Sequence, residues 1–146
     1  MNHWSMELSV LLPEIVLASG ICVLLIVDLF VRDSARDVTY LLAIFLLAGV
    51  AWVLIGNNPD SSAHFASGGA YVADGLARVL KLFAVTAVAT VFLYSRPYLR
   101  GKNLHFGEYY VLGLFGLLGI MVLASGYSLL VSYIGLEILS LSLYAM

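Results

Sequence analysis

From Tyr127 to Met146 the chain reads YSLLVSYIGLEILSLSLYAM, and Glu137 is the one side chain in that run that ionises near neutral pH. An apolar run of about 20 residues matches the thickness of a bilayer. Lipid offers the backbone no hydrogen-bond partners, so such a run must close its own bonds as a helix. Four earlier runs share this character, over about 8–31, 38–55, 76–95 and 109–125. The chain has 62% hydrophobic and 11% charged residues, with a mean hydropathy of +1.02. Soluble domains average about 45–50% apolar and about 25% charged. The expected fold is therefore all-α: one polytopic transmembrane region, 1–146, with five spans, the last over about 127–146, and a long loop over 56–75.

Glu137 sits about ten residues into its span, roughly 15 Å deep at 1.5 Å per residue. A lone carboxyl at that depth costs upwards of roughly 2.5–3.5 kcal/mol, and acids held there mark proton or ion sites with a partner on a neighbouring helix. Glu137 is the first candidate for a proton relay. Ser132, Gly135, Ser140 and Ser142 lie near it along the chain, offering hydroxyls or close backbone approach. The competing reading is a protonated acid that only hydrogen-bonds another helix.

Lys81 is the second, lesser candidate. With Arg78 it lies in the first turns of the third span, behind Asp74, which reads as a helix N-cap. Two readings stand: both cations snorkel to the interface, with Asp74 and Arg78 paired four residues apart, or Lys81 reaches inward to the bundle. Glu14 follows Pro13, a pair that reads as a helix first turn. Glu14 and Asp28 read as interfacial or packing acids near the two ends of the first span, and Glu108 as an acid suited to a helix N-terminus. Gly113, Gly116 and Gly119 are expected to let helices pack closely. Trp4, Tyr71, Tyr94, Tyr98, Tyr109 and Tyr110 fall at expected span ends, as an interfacial belt does.

Basic residues set the orientation. Arg32 and Arg36 follow the first span, and Arg96, Arg100 and Lys102 follow the third; the other loops and the N-terminal tail hold none. The positive-inside rule puts these two loops in the cytoplasm and the N-terminus outside. The start, MNHWSMELS, lacks the basic n-region of a cleaved signal peptide. The 56–75 loop is rich in turn residues, and 63–72 is expected to form a short hairpin. The last span ends at Met146 without a charged or polar flank, so the chain reads as an N-terminal fragment of a longer protein.

Other chemistries find little support. A net charge of −2 and a pI near 5.8 lack the basic footprint of a nucleic-acid partner. The single Cys22 excludes an internal disulfide and any multi-cysteine metal site, and reads as a small lipid- or helix-facing residue. His3, His64 and His105 have no second ligand at a useful spacing. P-loop, GxGxxG, CxxC and HExxH motifs are absent.

Several stretches resemble a known family: LLPEIVLASG with DLF, VADGLARVLK, EYYVLGLFGLLGIMVLASGYSLL, and GLEILSLSLYAM around Glu137. In order along nearly the whole chain they are similar to the N-terminal third of subunit N of bacterial NADH:quinone oxidoreductase, respiratory complex I. The resemblance implies an antiporter-like fold of fourteen helices in two inverted repeats, of which this chain holds the beginning. It implies a proton-translocating subunit of a membrane translocase that couples electron transfer from NADH to quinone to proton pumping. Glu137 would be the family's essential fifth-helix glutamate, working with a lysine on a later helix. NADH, FMN, iron–sulfur clusters and quinone would serve the parent complex, with no cofactor held by this chain. Its partners would be other membrane subunits of that complex and the bilayer, and its place the inner membrane, N-terminus periplasmic. The alternative is a subunit of a multi-subunit monovalent cation/proton antiporter.

Overall fold

A computed structural model describes residues 3–30, 36–56, 64–102 and 106–146. Arg32, Ser62 and His105 lie outside the described residues, as do the side chains of His3, Arg36 and His64.

Five α-helices carry the described residues: α1 (His3–Phe30), α2 (Arg36–Gly56), α3 (Gly75–Lys102), α4 (Phe106–Ser125) and α5 (Leu129–Ala145). Four contain stretches long and apolar enough to cross a membrane: Glu7–Phe30, Asp37–Gly56, Gly75–Lys102 and Gly107–Ser125. The fifth apolar run yields a helix of 17 residues, because Tyr127 and Ser128 belong to the turn before it and Met146 is its C-cap. Ser128 caps it, in extended backbone (φ −93°, ψ 142°), its hydroxyl accepting from the Leu130 N–H at 3.3 Å.

Two helices outrun their apolar stretches. α1 begins at His3, so Pro13 is interior and not a first-turn residue as its Pro-Glu pattern suggested. Pro13 forgoes one helical N–H bond, yet its flank is fixed by a buried stripe of Glu14, Leu17, Ile21 and Leu24 at helical spacing. α3 continues past Ser95 through Pro97 to Lys102, so Arg96, Arg100 and Lys102 are helical and not in a loop. The basic side chains suit a helix C-terminus. Arg100 Nη2 donates to Asp37 Oδ1 at 2.7 Å and Oδ2 at 2.6 Å, and the Arg96 guanidinium lies 4.6 Å from the Tyr40 ring centre.

α4 is the central helix. It packs on α1, α2, α3 and α5, and its Leu114, Leu117 and Met121 are fully buried. Its glycines serve two neighbours. A Cβ on Gly113 would strike the Phe92 ring of α3 at 2.6 Å, while one on Gly119 would come 2.9 Å from the Gly135 carbonyl and 2.8 Å from the Leu139 nitrogen of α5. Main chains this close need residues without side chains.

The hairpin is present. β1 (His64–Ala66) pairs antiparallel with β2 (Tyr71–Ala73), with Phe65 opposite Val72, and Gly68 and Gly69 take positive φ in the turn. Tyr71 also bridges to Gly126, and the Ala70 carbonyl accepts from the N–H groups of Tyr127 (3.1 Å) and Ser128 (3.4 Å). The hairpin is thereby joined to the turn that starts α5.

Candidate functional site

The two residues expected to carry proton chemistry, Glu137 and Lys81, lie in two separate places. The first is the outward face of α5. Glu137 lies eight residues past Leu129, about 12 Å into the helix at 1.5 Å per residue. It is exposed, whereas Gly135 and Ser142 are buried against α4. The hydroxyls expected beside it serve the backbone of their own helix: Ser140 Oγ donates to the Glu137 carbonyl at 3.1 Å and Ser142 Oγ to the Leu139 carbonyl at 2.8 Å. The Glu137 carboxyl is thus turned away from the four helices described before it, beside the exposed Tyr133 one turn back.

The second place is the interior near the hairpin, and there the inward reading of Lys81 holds. Lys81 is 4% exposed and Glu14 7%. Their side chains form an ion pair between α3 and α1, Nζ to Oε1. Snorkelling is therefore not what Lys81 does, and of its two readings Glu14 takes that of an acid packed between helices. Both follow from helical phase: Glu14 shares its stripe with Leu17, Ile21 and Leu24, and Lys81 shares its own with Ala77, Ala84 and Val85. The Lys81 Nζ lies 5.6 Å from the centre of the Tyr71 ring, a cation–π distance. Burial, then the Glu14 carboxylate, hold the Tyr71 phenol above its ordinary range, so it stays neutral. Sequence reasoning missed Glu14 as the partner of Lys81; the stripe on each helix was legible, but not that the two stripes face each other. Glu137 and Lys81 are not brought together.

Asp74, Arg78 and Asp28 tie helix ends and helices together. Asp74 caps α3, its Oδ1 accepting from the Ala77 N–H at 2.7 Å. Arg78 donates to the Leu54 and Ile55 carbonyls at the end of α2, 2.8 Å each. Asp28 Oδ1 accepts from Thr39 Oγ1 at 2.9 Å, tying α1 to α2. Glu108 lies in the first turn of α4, as expected, and Cys22 is exposed on α1. Of the aromatics expected at span ends, Trp4, Tyr94 and Tyr98 are exposed, Tyr109 is half-buried, and Tyr71 and Tyr110 are buried in the bundle. Tyr110 stacks edge-on to Phe92, centres 5.0 Å apart, because its helical phase faces the core. Among the described residues no three His, Cys, Asp or Glu side chains gather as a metal site needs.

Known proteins resemble the chain over nearly its whole length. It is 48% identical over 136 residues, 92% of the chain, to NADH-quinone oxidoreductase subunit N of Thioalkalivibrio sulfidiphilus. It is 47% identical over 96% of its length to the subunit N of Ruthia magnifica, and 43% over 100% to that of Acidithiobacillus ferrooxidans. The chain spans 28%, 29% and 30% of these three relatives. No family model matches it.

Proposed function

We propose that this chain, which over nearly all its length belongs to the NADH-quinone oxidoreductase subunit N family, supplies the proton-holding acid of a proton-translocating membrane subunit, and that Glu137 is that acid. The whole complex would couple electron transfer from NADH to quinone to proton movement. Redox centres would sit in other subunits, and this chain would bind none. The observation that carries the reading is the exposure of Glu137 on the α5 face that α4 leaves uncovered. A carboxyl there has no packing duty among the described helices, and it is too costly to leave in lipid. In the parent, further helices of an antiporter-like fold would cover that face and bring a cation to it. Lys81 cannot be that cation, because Glu14 holds it on another side of the bundle; its part in proton movement would be separate. The names of the relatives favour the redox-driven complex over a cation/proton antiporter. We further infer an inner-membrane location, a periplasmic N-terminus and other membrane subunits of the complex as partners.

The test is Glu137→Gln in the full-length parent. Gln keeps size and hydrogen bonding but exchanges no proton. Proton uptake by reconstituted vesicles should fall by about 100-fold or more, the scale on which general acid–base groups act, with assembly intact. Glu137→Asp should be milder. Unchanged proton uptake in an assembled Gln variant would sink the proposal, and loss of assembly would make Glu137 structural.

A further inference from the structure

Four polar side chains from four separate elements converge at the hairpin end of the bundle. They are Glu14 of α1, Lys81 of α3, Tyr71 of β2 and Ser125 of α4. Their exposures are 7%, 4%, 6% and 2%. Glu14 and Lys81 are paired, Tyr71 lies against the ammonium, and its phenol is under the direct influence of both Glu14 and Ser125. Yet neither Glu14 oxygen, nor the Tyr71 hydroxyl, nor the Ser125 hydroxyl has a well-aligned hydrogen bond.

A buried ion pair repays its desolvation when its remaining lone pairs and protons are satisfied. Here the groups nearest the pair are themselves proton carriers, Tyr71 and Ser125, and two apolar side chains would hold α1 to α3 at least as well. As a strut the pair is a poor solution. As a proton site it is a good one. Moving one proton from Nζ to the carboxylate breaks an N–H bond, forms an O–H bond and converts ammonium and carboxylate to amine and acid. Net charge is unchanged, so the step avoids the cost of burying a new charge. The phenol is the group next to this acid on the hairpin side. Its hydroxyl is buried and held neutral, and can take the proton on its oxygen while releasing its own to water admitted when the hairpin parts.

We propose that Glu14 and Lys81 form a second proton-holding site, distinct from Glu137, and that the hairpin closes it with Tyr71 as the hydrogen-bonding link to water. The inference rests on the reading that the parent moves protons. It adds a mechanical corollary: Tyr71 and its neighbour Ala70 are also the residues through which the hairpin grips the start of α5. A change of proton state at the pair thus acts on the same hairpin that holds the helix carrying Glu137.

The test uses the full-length parent in its assembled complex. Tyr71→Phe keeps the ring beside Lys81 and removes the hydroxyl. It should assemble, slow proton movement by about tenfold or more, and shift the pH profile. The double variant Glu14→Gln with Lys81→Met removes both charges together; it should assemble and lose the same pH-dependent limb. Normal transport and an unshifted profile in Tyr71→Phe would overturn the proposal, as would normal transport in the double variant. Infrared spectroscopy supplies a readout apart from transport: a carboxylic C=O band that varies with pH and moves in Glu14→Asp. If parent and Glu14→Asp show no such difference, the proposal falls whatever the transport result. Glu137→Gln, run in parallel, separates the failures: if it pumps normally the general relay reading fails, while the infrared band still decides the protonation of Glu14.

Discussion

The carboxylate of Asp28 on α1 fills the space that Gly107 leaves at the start of α4: a Cβ on Gly107 would collide with both Oδ1 and Oδ2. Asp28 is already engaged by Thr39, so it cannot swing aside without giving up that bond. An acid at this position also suits the positive end of the α4 dipole. One short side chain thereby joins three helices.

Gly107→Ala should therefore destabilise the full-length parent by about 1–3 kcal/mol, the usual cost of forcing atoms into a filled site. Gly49→Ala, in α2, is the control. A Cβ at Gly49 meets no atom within 4 Å, and alanine gains up to about 1 kcal/mol over glycine in a helix. Thermal unfolding in detergent measures both. Equal shifts in the two variants would contradict the Asp28–Gly107 contact.

Alkali should release the hairpin. Burial and the Glu14 carboxylate raise the Tyr71 phenol above its ordinary value of 10.0. The docked hairpin therefore keeps its proton at a pH where the free hairpin loses it. The sign follows: the contribution of docking is fully present below about pH 10 and is lost as pH rises above it. Hydrogen exchange at the Tyr127 and Ser128 amides, whose acceptor is Ala70, should quicken in that range beyond its intrinsic base catalysis. Tyr71→Phe should lack the step. An identical pH response in parent and variant would rule the mechanism out.

Topology can be read with thiol labels once the exposed native Cys22 is changed to Ser. Trp4→Cys, at a position 75% exposed near the N-terminus, should react with an impermeant reagent added from outside. Lys102→Cys, at the far end of α3, should react only after the membrane is opened. The reverse pattern would invert the orientation drawn from the basic residues.

Much of this fold was legible in the residues, for identifiable reasons. Apolar runs found all five helices, and Asn, Pro, Ser and Gly content found the hairpin, because both signals are local. Glu137 stood out for a local reason too, as an acid in an otherwise apolar run. The pairing of Glu14 with Lys81 depends on which helices are neighbours and how each is rotated, and no span taken singly carries that information. Tyr71 and Tyr110 were assigned to the interface from position along the chain, whereas their burial is set by the face on which they lie. The Arg96–Lys102 segment was read as a loop because it is charged, yet those charges hold the helix end to Asp37 and Tyr40.

The contact of Gly119 with Gly135 has a mechanical meaning. A Cβ at Gly135 would come 3.0 Å from the Leu123 nitrogen and 3.1 Å from the Gly119 carbonyl, and the reverse substitution is as tight. Two helices meshed backbone to backbone cannot roll or slide past each other without collision, since packed interfaces are bistable and not continuously deformable. α4 and α5 then travel as one splint, and Glu137 is a fixed post on its outer side. On our proposal that Glu137 holds a proton, its surroundings would change by motion of the α4–α5 splint as a whole against what faces it, and not by α5 turning on α4.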